Sequence, residues 1–425
     1  MLLGKTALPD PADRVRQLEN RAFLVRLIVL AWVVRLAVVI IFSMTDAIQI
    51  LHLSPDSYRY HVYGVNIMQE MNRGVFNWPN WIDNGWFQFT GFVYYLIGPY
   101  PFLIQLVNIT LSALTIVPVY LIAREISDDP RVRRMSAILT AFFPSFIYWS
   151  VLMLKDPAAI FALALICYGV TVLRLRFRMT ALFWIVFGLL IFLGTREYLF
   201  IVLIFLICAS FLLFPYRPAR NLLRAVMVCV IVALLPAIFG LGVFGWTFIG
   251  TSAYFDLDKL NHIRVAMGDH GTGALFDHGN VHTWGNSWTS DIFAILKTVF
   301  SVFIPVNPAD IGSPRQLMAV PEIIIIILLI RPLYHGLAIL WKTRQKAIPL
   351  LVICFGVLAV YVAGTTNAGA LFRWKTQIMP FVFVMMAVGI FYLEKGIVYR
   401  LLNRFVGKRR TTFEPPIQPV KPLLS

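Results

Sequence analysis

Hydrophobic runs of about 20 residues recur along almost the whole chain, with short polar segments between them. Each run is long enough to cross a bilayer as one helix. The runs lie at residues 22–42, 101–123, 135–152, 158–173, 180–194, 199–214, 225–245, 320–340, 348–363 and 378–393. A shorter apolar stretch at 296–303 predicts one further re-entrant or interfacial element. The pattern therefore predicts an all-α polytopic membrane protein with about 10–11 transmembrane helices.

Positive charges are concentrated in alternate polar segments along the chain. The N-terminal segment, every second loop and the C-terminal segment are rich in Lys and Arg, which favours a cytoplasmic location for them and for both termini. The remaining loops are then extracytoplasmic. Two of them, residues 43–100 and 246–319, are long enough to hold loop helices, and residues 55–69 have the spacing of an amphipathic helix at the membrane face.

Composition supports this class and changes how the net charge is interpreted. The chain has 425 residues, of which 59% are hydrophobic and 14% charged, and a formal net charge of +16. A soluble core cannot hide so much apolar sequence, so the excess of Lys and Arg indicates orientation and contact with anionic lipid rather than nucleic acid. Residues 1–410 are predicted to form one transmembrane domain, and the Pro-rich residues 411–425 a disordered cytoplasmic tail. The four cysteines lie in apolar runs, which indicates packing.

Several charged residues break the orientation pattern, because they stand near the outer ends of the spans. A cation on that side is disfavoured and a carboxylate near lipid is costly, so both indicate a function. An anionic ligand such as a lipid phosphate or pyrophosphate explains outer cations, since Arg and Lys bind it by charge-assisted hydrogen bonds. The residues concerned are Asp56, Arg59, Lys155, Asp156, Arg196, Glu197, Arg264, Arg315, Glu322, Arg373 and Lys375.

Each of these residues also has a structural interpretation. Asp56 follows a proline and is suited either to a helix N-cap or to a catalytic base at the membrane surface. Asp156 before Pro157 is typical of an N-cap with Pro at the first helical position. Lys155 has the length to reach lipid headgroups, and Arg196 has an acidic neighbour with which to form a local ion pair.

The second long outer loop contains a weak metal-binding pattern. Two Asp-His-Gly triplets and one more histidine supply carboxylate and imidazole groups, which suit a divalent metal, although their spacing matches no established signature. The residues are Asp269, His270, Asp277, His278 and His282. The sequence therefore predicts no firm cofactor and leaves a divalent metal open. The aromatic residues of this loop are compatible with sugar stacking or with an interfacial belt.

Four short segments resemble the C-type glycosyltransferases of membranes, the superfamily of the protein mannosyltransferases and the lipid A aminoarabinose transferase. Residues 305–322, together with residues 367–373, also resemble the related membrane proteins of bacterial exopolysaccharide clusters. The segments are Ser54-Pro55-Asp56-Ser57-Tyr58, residues 143–150 running into Leu154-Lys155-Asp156, Gly194-Thr195-Arg196-Glu197, and Phe372-Arg373-Trp374-Lys375 with the following Ile378-Met379-Pro380-Phe381.

The resemblance implies a transferase that faces the exterior of a bacterial inner membrane. Its donor is a polyprenyl-phosphate-linked sugar, its acceptor a glycan or lipid, and Asp56 its catalytic base. Inversion of the anomeric centre follows from attack opposite the phosphate. We expect Lys155, Arg196, Arg373, Lys375, Arg59 and Tyr58 to contact the substrate or its phosphate, with Asp156 and Glu197 as candidates for a second acid.

Three other functions fit parts of the same pattern. A repeat-unit polymerase or ligase of surface polysaccharide uses lipid pyrophosphate and needs the same outer cations. A flippase for lipid-linked oligosaccharides is less well matched, because transporters place charges at the bilayer midplane and use paired broken helices. A scaffold role leaves the outer cations without a purpose.

Overall fold

The computed structural model describes residues 11–44, 55–75, 81–176, 178–213, 226, 230, 257–269, 282–285, 287–304 and 314–393. The predicted span at 225–245 and the predicted tail at 411–425 lie outside these residues, apart from the two single positions. The described parts of the chain are helices joined by short turns, which confirms the all-α polytopic membrane class.

Most helices follow the predicted runs, although the first begins 11 residues before its run and two, Trp81–Ile97 and Leu257–Asp269, lie in the predicted long loops. In chain order they are α1 Pro11–Met44, α2 Pro55–Asn72, α3 Trp81–Ile97, α4 Pro101–Leu114, α5 Ile116–Ile126, α6 Pro130–Phe142, α7 Pro144–Val151, α8 Asp156–Leu175, α9 Met179–Thr195, α10 Glu197–Leu212, α11 Leu257–Asp269, α12 Trp288–Phe303, α13 Pro314–Lys342, α14 Arg344–Gly364, α15 Ala368–Trp374 and α16 Met379–Tyr392. A 3₁₀ turn, Lys375–Gln377, joins the last two.

Five helical segments within the described residues have the length and apolar composition of a membrane span. They are Leu18–Met44, Pro101–Ile126, Asp156–Leu175, Ala319–Lys342 and Arg344–Gly364. A sixth is Gly369–Gln377 with Met379–Tyr392, a pair bent by 65°. The helices Met179–Thr195 and Tyr198–Leu212 are apolar but shorter, so the total of 10–11 spans stays a prediction.

The predicted span at residues 135–152 is divided between two helices. The run at 135–152 was expected to be continuous, but α6 ends at Phe142 and α7 begins at Pro144. Pro144 lacks the N–H that an uninterrupted helix needs, and it disfavours helical geometry at Phe143, which is extended with ψ 129°. Phe143 and Phe146 then pack on Phe383 of α16, with ring centroids 4.7 and 5.6 Å apart.

The largest apolar core lies between α5, α6, α8, α9, α10, α13, α14 and α16. Within it, α13 and α16 cross where two glycines meet. A Cβ added to Gly336 would overlap the carbonyl oxygen of Met385, and one added to Gly389 would overlap that of Pro332. Because each obstacle is backbone, this crossing depends on the absence of a side chain at both positions.

A buried arginine joins the first helix to this bundle. Arg35 of α1 is fully buried, and its Nε donates to the Ser112 hydroxyl at 3.1 Å. Its Nη1 donates to the carbonyls of Ala31 and Ala141 at 3.0 and 2.9 Å. The guanidinium thus joins α1, α4 and α6 through hydrogen bonds, as a charge inside a membrane bundle requires.

The bundle has two polar ends, separated by the length of α8, about 30 Å. At one end Arg176, just after α8, pairs with Glu125 of α5. At the other end Asp156 begins α8. The candidate site lies at this second end.

Candidate functional site

Two polar side chains of α4 hold the segment that leads into α8. Gln105 Nε2 donates to the Val151 carbonyl at 2.9 Å. Asn108 Nδ2 donates to the carbonyls of Leu152 and Leu154 at 2.7 and 2.8 Å. These bonds satisfy backbone groups that no helix can satisfy at this turn, and they place Asp156 at the first position of α8. Lys155, rather than Asp156, is the N-cap residue, which corrects the expected capping position.

Asp156 is fully buried and joins two arginines. Its Oδ1 accepts from Arg196 Nη2 at 2.6 Å, and its Oδ2 lies 2.8 Å from Arg373 Nε. The contact between Asp156 Oδ2 and Arg373 Nε is an ion pair without the geometry of a hydrogen bond. A buried carboxylate is stable only with such partners, so Asp156 is the centre on which the two cations converge.

Arg373 also contacts Asp56, which begins the other half of the site. Arg373 Nη1 donates to Asp56 Oδ2 at 2.5 Å. The two residues are 317 positions apart in the chain and come from α15 and the first turn of α2. Asp56, Arg373, Asp156 and Arg196 therefore form a continuous row of alternating charges, named here the charge relay.

The charge relay is buried at one end and exposed at the other. The exposed fractions of the side chains are 3% for Arg196, 0% for Asp156, 15% for Arg373 and 41% for Asp56. At ordinary ionisation its two carboxylates and two guanidiniums cancel. Asp56 Oδ1 forms no hydrogen bond or ion pair with another described residue. The accessible end of the charge relay is thus a carboxylate beside a guanidinium.

A set of polar and aromatic groups holds Arg196. Its Nη1 donates to the Tyr198 hydroxyl at 2.6 Å, and its guanidinium carbon lies 5.4 Å from the ring centroid of Trp374. The Gln377 amide contacts the Tyr361 hydroxyl at 2.5 Å. With the amide nitrogen facing that hydroxyl, the amide oxygen accepts from Arg196 Nε at 2.8 Å. The predicted local pair of Arg196 with Glu197 stays a prediction, because the Glu197 side chain lies outside the described residues.

Tyr60 lies one turn after Asp56 on α2, with 5% of its surface exposed. Burial raises the pKa of its phenol above the usual value, and the nearby Arg373 opposes this shift. Its ring packs on Phe87 of α3 at 4.8 Å between centroids. Tyr60 is a neutral hydroxyl-bearing side chain beside the charge relay.

Lys375 lies outside the charge relay, although it was expected to bind phosphate. Its ammonium pairs with Glu322 of α13, and neither side chain is exposed. It also lies 4.4 Å from the ring centroid of Phe372. The partner of Lys375 is 53 positions away in the chain, which no local pattern indicates.

The other predicted site residues are close in the chain to members of the charge relay. Lys155 is half-buried and precedes Asp156 in the chain, while Tyr58 and Arg59 are exposed on α2. Glu197 begins α10, and its side chain lies outside the described residues. The ring centroids of Trp149 and Phe372 are 5.9 Å apart, so the second and fourth of the resembling segments are in contact.

Most of the predicted metal ligands lie outside the residues that the structure describes. These are His270, Asp277 and His278, together with the side chain of Asp269. His282 lies 3.2 Å from Asp291 Oδ1, and burial is the main cause that lowers its pKa. Among the described side chains, no group of three or more His, Cys, Asp or Glu is placed to hold a metal ion.

An apolar cavity of about 470 Å³ lies beside the C-terminal half of α14. Phe355, Leu358 and Val362 of α14 form one wall. Ile295 of α12 and Trp284 contribute to the others. The cavity is separate from the charge relay, and the same end of α14 leads through Thr365 and Thr366 into α15.

No protein-family model and no curated protein sequence matches this chain. Among solved structures it is similar to the apo crystal structure of the oligosaccharyltransferase of Archaeoglobus fulgidus, with a TM-score of 0.45 and 16% sequence identity. The similarity covers 76% of this chain and 43% of that one, so the chain spans less than half the length of that structure. A TM-score of this size indicates nothing about the reaction.

Proposed function

We propose that the protein is an integral-membrane glycosyltransferase. It moves a sugar from a polyprenyl-phosphate donor to an extracytoplasmic glycan or lipid acceptor. The observation that carries this proposal is the exposed Asp56 carboxylate, which lies 2.5 Å from the Arg373 guanidinium. The buried carboxylate of Asp156 contacts the same guanidinium through its Nε. A base and a fixed cation are then side by side where a lipid headgroup can reach them.

Asp56 acts as the general base in this mechanism. One of its oxygens contacts Arg373, and the other takes the proton of the acceptor hydroxyl. The acceptor oxygen bonds to the anomeric carbon while the bond from that carbon to the phosphate oxygen breaks. The bonding pair leaves with the phosphate, so the products are the glycosylated acceptor and polyprenyl phosphate. Attack from the face opposite the phosphate inverts the anomeric centre.

Arg373 and Lys155 stabilise the departing phosphate. Negative charge grows on that group in the transition state, and fixed donors in a water-poor site are the strongest means of stabilising it. Asp156 and Arg196 are positioning residues in this proposal, because they hold the Arg373 guanidinium from its buried side.

The test compares Asp56→Asn with Glu70→Gln, a matched control at the exposed far end of the same helix. Purified protein in lipid nanodiscs receives labelled polyprenyl-phosphate sugars and membrane extract as a source of acceptors. We expect Asp56→Asn to lower transfer about 10²- to 10⁴-fold and Glu70→Gln to leave it unchanged. Full transfer by Asp56→Asn contradicts the assignment of the base. In sealed proteoliposomes, movement of the lipid-linked sugar across the membrane without release of polyprenyl phosphate identifies a flippase.

A further inference from the structure

Arg264 of α11 is a further buried cation, and it lies outside the charge relay. It is fully buried and forms no ion pair with a described carboxylate. Its Nε donates to the His282 carbonyl at 3.0 Å, and its Nη1 donates to the carbonyls of Val362 and Ala363 at 3.3 and 2.8 Å. Burial lowers its pKa to about 10, so it stays charged at neutral pH.

The carbonyls that Arg264 contacts belong to the last turn of α14. The last four carbonyls of a helix lack partners within it, and the helix dipole makes that end negative. A guanidinium at this position satisfies two such carbonyls and opposes the dipole. Arg264 therefore fixes the end of a membrane span to a helix of the long outer loop.

Trp284 completes the same connection. The Arg264 guanidinium carbon lies 4.3 Å from the centroid of its ring, and the indole Nε1 donates to the Ala363 carbonyl at 2.9 Å. The Asn261 side chain donates to the Trp284 carbonyl at 3.1 Å and accepts from its backbone N–H at 2.7 Å. Thr366 donates its hydroxyl proton to the Arg264 carbonyl at 2.6 Å. These four residues and Ala363 are named here the outer latch.

The outer latch ends where the helix carrying Arg373 begins. Thr365 Oγ1 accepts from the Asn367 N–H at 3.2 Å, and Asn367 caps α15 by accepting from the Ala370 N–H at 3.0 Å. Arg373 follows about 9 Å along the helix axis. A shift of Ala363 or Thr366 moves the base of a short helix of 7 residues, and so moves the guanidinium near its end.

We propose that Arg264 is a positioning residue: through the outer latch it sets the position of α15, and thereby that of the Arg373 guanidinium against Asp56. The consequence for the reaction rests on the proposed glycosyl transfer, whereas the effect on α15 does not. A displacement of about 1 Å at a reacting group is enough to lower a rate about a hundredfold.

The first measurement is amide hydrogen exchange of residues 365–377 in the full chain in nanodiscs, which requires no reaction. Arg264→Gln is compared with Arg35→Gln, the matched control, because Arg35 is another buried arginine that donates to two carbonyls. We expect Arg264→Gln to speed exchange in this segment about 10- to 100-fold, and Arg35→Gln to leave it as in the unaltered protein. Equal exchange in all three proteins overturns the proposal.

The second measurement is a double-mutant cycle on transfer from the labelled donor, with Arg373→Lys as the background that retains the charge. If Arg264 acts through Arg373, Arg264→Gln lowers kcat about 10- to 100-fold in the unaltered protein and has little further effect in Arg373→Lys. If Arg264 has only a structural role, the two losses multiply, as we expect for Arg35→Gln. Multiplying losses therefore refute the part of the proposal that concerns the reaction.

The two measurements separate this proposal from the proposed function. If the unaltered protein transfers no sugar, the glycosyltransferase assignment fails, and the exchange measurement still decides whether the outer latch positions α15. Faster exchange with full transfer shows that Arg264 holds the helix but that the reaction does not depend on it, which also overturns the proposal.

Discussion

The buried pair of Lys375 and Glu322 allows a direct test of whether Lys375 is a substrate ligand or a structural residue. Both side chains are completely buried and they contact one another. Lys375→Met leaves a buried carboxylate without its partner, and Glu322→Leu leaves a buried ammonium. Each single change removes one half of a desolvated ion pair, for which the loss of stability is about 3–5 kcal/mol.

The double variant with both changes should behave differently. It removes both charges and replaces them with apolar side chains of similar size. Exchange of a buried ion pair for packed apolar residues is often neutral or stabilising by about 1–4 kcal/mol. We therefore expect the double variant to recover the stability that each single variant loses, with sugar transfer close to that of the unaltered protein.

The assay is unfolding in detergent by heat and by denaturant for all four proteins, followed by transfer from the labelled donor at a temperature where all remain folded. A double variant as unstable as the singles refutes the interpretation of an isolated pair. A stable double variant that has lost transfer refutes the structural assignment and restores Lys375 as a phosphate ligand.

Two further predictions concern other parts of the fold. Burial lowers the pKa of His61 below its usual 6.5, so the folded state disfavours the charged ring. We expect the free energy of unfolding to fall as the pH drops below about 6.5. His61→Gln should reduce that dependence when unfolding is followed between about pH 5 and 8. An unchanged pH profile in this variant contradicts the role of His61. Gly336→Ala places a methyl group on a backbone oxygen and should destabilise the protein by about 1–3 kcal/mol. Gly356→Ala places it against a leucine side chain, which can move, and should destabilise the protein less. Equal losses of stability in the two variants contradict the backbone clash.

Hydropathy predicted most of the membrane helices because an apolar run of sufficient length has few alternatives in a bilayer. The ends of α8, α9, α13 and α14 fall within a few residues of the predicted ends. The break in the run at 135–152 was missed because that run was treated only as a length of apolar sequence. Pro144 is the signal that was available for finding it.

The candidate site was partly predictable for a related reason. A charged residue at the outer end of a span needs a partner or a ligand, and this rule selected Asp56, Asp156, Arg196 and Arg373. The rule does not say which carboxylate meets which cation. Asp156 was considered a helix start or a second acid, whereas it is the buried group that joins two arginines. The catalytic and binding roles assigned to these residues stay predictions.

Partners far apart in the chain could not be predicted from local patterns. Lys375 had the same appearance in the sequence as Arg373, two positions earlier, yet the two face different elements. Arg264 was noted in the sequence only as one of the charged residues on the predicted outer side, and Trp284 only as an aromatic residue of a long polar loop. Both residues contact Ala363 at the end of α14, which is 99 positions from Arg264 and 79 from Trp284 in the chain.

The order in which the charge relay is synthesised has a consequence for assembly. Its four residues come from widely separated parts of the chain, and Arg373 is the last to leave the ribosome. Until then Asp156 lacks one of its two cations, and Asp56 has none from this group. A nascent or truncated chain that lacks Arg373 therefore holds the Asp156 carboxylate incompletely neutralised. Such a carboxylate is a physical feature by which membrane quality control can recognise the chain, because an unpaired charge within a membrane protein is costly.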